Sequence, residues 1–275
     1  MIQYFKTSGS GTLEEIDQPV RGCWISVVSP TQVEKQRLLD EFLILPEFLR
    51  AALDEEESSY IDRSEDDNQT LVIIDYPEKD QTTRKSIETY ITLPMGVVLL
   101  DKMIMTISTR ENSTIESLIQ GKVKDLDTRY KTRFLLQLIL LISQEYLSAL
   151  RLIDRFSNQT EQKLYKHMSN SNLIDMLVLE KSLIYFSTSL KALEQTLRRI
   201  LRSRQIPMYE SDRGLLDDVL IEVKQGIEMC EIYSDVMDRS ADGFTNVINN
   251  NMNIIMKRLT VITLVLSIPN MVYGF

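Results

Sequence analysis

Hydrophobic and polar positions change rhythm twice along this chain. Up to Ser113, runs rich in Val, Ile, Thr and Tyr alternate with short helical ones. The runs Ile2–Lys6, Gly22–Val28, Thr70–Tyr76, Ser86–Leu93, Val97–Leu100 and Met103–Ser108 predict β-strands. Between them Ser29-Pro30 opens a helix through about Phe42, with proline in its first turn. Pro46 opens a shorter one ending near Leu53. The mixture predicts an α/β domain, a mixed sheet with flanking helices. Beyond Ser113 the strand signals end. Thr128–Ser169 and Leu173–Arg204 carry helical periodicity without Pro or Gly, separated by a Ser169-Asn-Ser-Asn172 turn. Phe134–Ile142 is nearly all apolar, but it is short and holds Gln137, so it reads as a helix buried in a soluble core. From about Glu210 no proline intervenes before Pro269. One helix of that length approaches ~100 Å, so it either stacks on copies of itself or leads into a membrane. The expected organisation is an α/β domain over 1–125, long helices ending in a stalk over 126–258, and a membrane segment over 259–275.

That last segment, LTVITLVLSIPNMVYGF, holds seventeen residues without a charge and follows Lys257-Arg258. A bilayer core needs about 20 apolar residues, so three readings stand: a tail anchor, a buried helix, or a transmembrane helix cut short. Spacing narrows them. Asn249, Asn253, Met256, Thr260, Thr263, Ser267, Asn270 and Gly274 follow one another in steps of 4, 3, 4, 3, 4, 3 and 4, so they share one helix face. Met256 apart, that face is polar or small, while Val261, Ile262, Leu264, Val265, Leu266 and Ile268 between are apolar. Lipid cannot satisfy amides and hydroxyls, which argues against a simple anchor. The face suits close helix–helix packing or, if several copies share an axis, a water-filled pore.

Composition removes other classes. The chain has 275 residues, 43 % of them hydrophobic, and a net charge of −9. That acidity argues against nucleic-acid binding. A single histidine, His167, sits in a polar stretch and reads as a solvated surface residue. Cys23 and Cys230 form no metal or disulfide motif. Neither a Walker loop, a dinucleotide-binding glycine pattern nor a nucleophile elbow is present, so no catalytic constellation supports an enzyme. Hard-cation chemistry through oxygen ligands stays open. The charge is concentrated: residues 53–67 hold eight acids against one base, and residues 210–242 hold ten against three, a net of −7 in each. The remainder is therefore about +5 (−9 + 14). Such blocks are either solvated faces or places where a divalent cation joins mutually repelling carboxylates.

The run Asn249-Asn-Asn-Met-Asn-Ile-Ile-Met-Lys-Arg-Leu-Thr260, followed by Thr263, Pro269 and Tyr273-Gly274, resembles the entry to the first transmembrane helix of the CorA family of magnesium channels. The family continues into a Tyr-Gly-Met-Asn signature, and Phe275 stands where that signature would proceed, so a longer parent with a second transmembrane helix is expected. The resemblance implies a homopentamer in the cell membrane with a cytoplasmic N-terminal domain. Its pore would be lined or flanked by Asn253, Met256, Leu259, Thr263, Ser267 and Asn270, with Mg²⁺ as transported ion. It also implies regulatory Mg²⁺ between subunits, with Asp218 matching the family's regulatory aspartate, Asp217 beside it, and Asp242 matching another lower on the stalk. The family's partner carboxylates fall on Arg50 and Ala51, so Asp54, Glu55, Glu56 and Glu57 are the expected substitutes. The rival readings are a membrane-anchored helical scaffold without transport, and a relative that moves Co²⁺, Ni²⁺ or Zn²⁺.

Overall fold

A computed structural model describes residues 1–9, 11–80, 87–123, 125–166, 170–202 and 206–273. His167, Ser86, Ser169, Arg204, Gly274 and Phe275, each used in the expectations above, lie outside the described residues. Seven strands, β1 (Ile2–Thr7), β2 (Leu13–Ile16), β3 (Trp24–Val28), β4 (Tyr60–Ser64), β5 (Gln69–Lys79), β6 (Tyr90–Leu99) and β7 (Ile104–Ser108), form one sheet. Its order is β2-β1-β3-β7-β6-β5-β4. Among the described residues only the β3–β7 pairing is parallel, so the sheet is mixed, as the sequence pattern predicts. Two helices, α1 (Gln32–Glu41) and α2 (Pro46–Ala52), cover one face. After the short α3 (Ser113–Ile119) come α4 (Lys131–Lys166), α5 (Asn170–Arg202) and α6 (Glu210–Tyr273). The first two of these cover the other face, and α6 packs outside them.

Local chemistry explains the boundaries. Helix α1 starts two residues later than the Ser29-Pro30 signal suggests. Thr31 caps it through a capping box with Glu34, whose carboxylate accepts the Thr31 backbone N–H at 2.8 Å, so Pro30 precedes the cap instead of entering the first turn. Pro46 does open α2 at its first position. The Ser86–Leu93 and Val97–Leu100 runs belong to one strand, β6, which runs through Pro94. Proline is tolerated because β7 pairs only from Met95 onward, leaving Pro94 partnered by Asp75 of β5 alone. Gly96 on β6 is required by α2: a Cβ there would run into the Ala52 side chain.

The sheet and long helices share one apolar core. Trp24 stacks on Phe5 with centroids 5.0 Å apart and meets Phe134 of α4 at 5.3 Å, while its indole N–H donates to Thr106 at 2.9 Å. Phe134, Leu135, Leu136, Leu138, Ile139 and Ile142 are all fully buried, so this apolar run is a core helix, as its length predicts. On α6, Leu216, Val219, Val223, Ile227, Cys230, Met237 and Phe244 form the buried edge against α4 and α5. Past Phe244 burial ceases, and residues 251–269 are exposed throughout.

Inside this core sits Asp75, on β5. Its backbone carbonyl accepts the Tyr146 hydroxyl of α4 at 3.1 Å, and its N–H donates to Ser59 at 3.0 Å, but its Oδ1 has no hydrogen-bond partner. Burial pushes its carboxyl up to about 6, against hydrogen bonding from Ser189 of α5 and Ser59; Glu57 adds a smaller upward push. Because the folded value exceeds the unfolded one of 3.8, the stabilisation is full below about pH 4 and is lost as pH rises through 6. Asp75→Asn should therefore gain stability relative to wild type by about 2–3 kcal/mol between pH 4 and pH 7. Urea denaturation of both proteins across that range checks it; a difference independent of pH would refute the assignment.

Candidate cation and membrane site

Helix α6 carries both the stalk acids and the polar face because one continuous ladder takes it from the folded domain into an uncovered segment. At 1.5 Å per residue its 64 residues extend about 96 Å. Among the described residues two helices are long and apolar enough to cross a membrane, α4 and α6; the apolar stretch of α4 is mostly buried, whereas none of that in α6 is. The continuous helix brings Asn249, Asn253, Met256, Thr260, Thr263 and Ser267 onto one face. Leu259 flanks them; Asn270 follows in the same helix, and its side chain is not among those described.

The hydroxyls on that face are already committed as donors. Thr260 donates to the Met256 carbonyl at 2.8 Å, Thr263 to Leu259 at 2.8 Å and Ser267 to Thr263 at 2.7 Å. Each bond satisfies the proton inside the helix and leaves oxygen lone pairs on the outer side. A column of acceptors on an otherwise apolar cylinder can receive hydrogen bonds from the water shell of a cation.

The carboxylates lie elsewhere. Asp217, Asp218 and Asp242 are exposed on α6, turned away from its buried edge. The 54–57 segment is the turn after α2. Glu55 is held by Arg110, whose guanidinium reaches both carboxylate oxygens at 3.0 and 3.2 Å, and Asp54 accepts the Glu56 N–H at 3.1 Å. The Arg110–Glu55 ion pair ties this turn to the end of β7, beside Met95, whereas α6 starts beside Thr70 and Leu99, at the other end of the β6–β7 pairing. Within one chain the two sets do not meet, and among the described residues no group of three His, Cys, Asp or Glu could hold a metal. One acid pair escaped sequence reasoning: Glu180 of α5 and Asp238 of α6 come within hydrogen-bonding reach. Burial raises the Glu180 carboxyl, and Asp238 raises it further. Helical spacing within either helix cannot reveal a pair made between them.

A folded domain from which one helix carries a bare apolar segment with a polar edge is the arrangement of a membrane transport protein with a soluble domain. The chain belongs to the family of CorA-like Mg²⁺ transporter proteins, whose profile matches residues 21–275. The cobalt/magnesium transport protein CorA of Methanocaldococcus jannaschii is 27 % identical over 270 residues, covering 95 % of this chain and 81 % of that one. The complete structure of the CorA magnesium transporter from the same organism superposes with a TM-score of 0.83 at 24 % identity, covering all of this chain and 86 % of that one. The ZntB cytoplasmic domain of Vibrio parahaemolyticus shares the fold at a TM-score of 0.68 and 12 % identity, over 91 % of this chain and 97 % of that one.

Exposed carboxylates without partners contribute little to a fold. In metal-free buffer Asp218→Ala should change unfolding free energy by no more than about 0.5 kcal/mol. Chemical denaturation measures this, and a larger loss would mean that Asp218 holds the stalk together by itself.

Proposed function

We propose that the chain forms the cytoplasmic domain and pore-lining helix of a homopentameric Mg²⁺ channel in the cell membrane. The observation that carries this reading is the uncovered end of α6, apolar around most of its circumference and hydroxyl-bearing along one line. Five copies turning Asn253, Met256, Leu259, Thr263, Ser267 and Asn270 toward a common axis hide that line from lipid. Mg²⁺ dehydrates reluctantly, so amides and hydroxyl acceptors aimed at its water shell suit it better than a carboxylate cage. Met256 and Leu259 supply an apolar constriction that closes by dewetting. Lys257 and Arg258 at the start of the apolar segment favour a cytoplasmic domain. The relative named for cobalt and magnesium supports Co²⁺ as a second cargo.

The regulatory reading concerns the exposed acids. Mg²⁺ is commonly held by one or two carboxylates with its remaining positions filled by water. Asp218, with Asp217 beside it, fits as one half of such a site. The other half would come from a neighbouring copy's Asp54–Glu57 turn, in which Glu56 and Glu57 enter no ion pair among the described residues. Asp242, lower on the stalk, would add a second bridging point. Cation bound there would hold adjacent stalks together and the pore shut.

Two measurements test the proposal. Mg²⁺ should protect the wild-type stalk from limited proteolysis, and Asp218→Ala should lose most of that protection; equal protection would remove Asp218 from the site. For the pore, single cysteines at Thr263 and at Val261 should be compared under oxidation in membranes. Thr263→Cys is expected to give a ladder of cross-linked copies and Val261→Cys much less. Both native cysteines are buried, so neither confuses the ladder. A stronger ladder from Val261→Cys would overturn the assigned face.

A further inference from the structure

The polar line of the membrane segment does not stop where the apolar stretch begins. Continued back from Asn249 in steps of 3, 4, 3, 4, 3 and 4, it passes through Asn246, Asp242, Arg239, Asp235, Ile232 and Glu228. All six are exposed. On the opposite side of α6 the buried residues Cys230, Met237 and Phe244 recur at intervals of seven. The packed edge and the exposed line therefore keep the same period, and the line stays turned away from α4 and α5 along the whole stalk.

Arg239 is the one base on this line. Asp235 lies on its N-terminal side and Asp242 on its C-terminal side, about 6 and 4.5 Å along the axis. Asp235 stands at the i,i+4 spacing that favours an ion pair within a helix. Even so, Arg239 enters no ion pair among the described residues. Its neighbours in sequence are already engaged: Asp238 meets Glu180 of α5, and Ser240 donates to Glu161 of α4 at 3.0 Å. Glu231, which is off the line, shows the contrast, because Lys191 of α5 holds it at 2.8 Å within the chain. Arg239 and its two flanking aspartates are thus a charge-complementary set left open on the exposed side.

Five copies that turn this line toward a common axis, the reading proposed above on which this inference rests, bring five guanidinium groups to one level. Like charges at one level repel, and a carboxylate of the adjoining copy relieves each of them. Arginine suits the task, since it stays charged and its planar fork meets a carboxylate through two parallel bonds. We infer that Arg239 pairs with Asp242 of the adjoining copy, the nearer of the two acids, in a ring of ion pairs that joins neighbouring stalks when divalent cation is scarce. Asp242 is also the proposed lower bridging point for Mg²⁺. Guanidinium and cation then compete for one carboxylate, and the pair sets how much cation is needed to replace it.

Carbodiimide cross-linking of the full chain in membranes tests this. Arg239→Lys keeps the charge and supplies an amine that the reagent can join to a carboxylate in direct contact. After removal of metal, Arg239→Lys should give a ladder of cross-linked copies well above that of wild type. Adding Asp242→Asn should abolish the increase, and Mg²⁺ at matched ionic strength should weaken it. A ladder no stronger than wild type, or one that survives Asp242→Asn, would overturn the pair. A ladder that Mg²⁺ leaves unchanged would overturn the competition. The oxidation ladder of Thr263→Cys, run alongside, separates the pair from the common axis. If that ladder forms and the carbodiimide ladder does not, the axis stands and the pair falls; if neither forms, both fall.

Discussion

Leu216, Val219, Val223, Ile227, Cys230, Met237 and Phe244 seal one edge of α6 against α4 and α5, and the rest of the molecule is arranged around where that edge stops. Up to Phe244 the helix is held by tertiary packing, including Gly226, where an added Cβ would crowd a Leu190 methyl at 2.9 Å. Beyond it, only the helix's own backbone ladder remains. A backbone that satisfies every N–H and C=O internally is the form a bilayer tolerates. The apolar side chains of the same segment, bare in a single copy, cost roughly 25 cal/mol per Å² if left in water. The helix thus requires two environments in succession.

The packed end gains its rigidity from a row of hydrogen bonds through an otherwise apolar seam. Tyr146 of α4 donates to the Asp75 carbonyl at 3.1 Å, Thr196 of α5 to the Ser59 carbonyl at 3.0 Å, and the Tyr90 N–H to Ser182 at 2.9 Å. The Ser189 hydroxyl meets Thr92 at 3.0 Å. In a low-dielectric core such bonds fix register, because sliding the helices by one position would leave each group buried and unpaired. Asp75 is the member whose bonding is incomplete, which is why its protonation state matters to stability.

What was legible in the sequence divides along the same physical line. The inner strands and long helices announce themselves through apolar rhythm, because that rhythm is the imprint of burial. The two strands the pattern misses, β2 and β4, are the two edges of the sheet. Edge strands pair on one side only, and charges such as Glu14, Glu15, Asp62 and Arg63 keep such an edge from recruiting another chain while erasing the alternation that would reveal it. Break signals misled in the opposite sense at Pro94 and Gly96, where the demands of the β7 boundary and of Ala52 outweigh strand propensity. The polar line on α6 was readable because one helix carries it. The Glu180–Asp238 pair was not, since it joins two helices far apart in sequence.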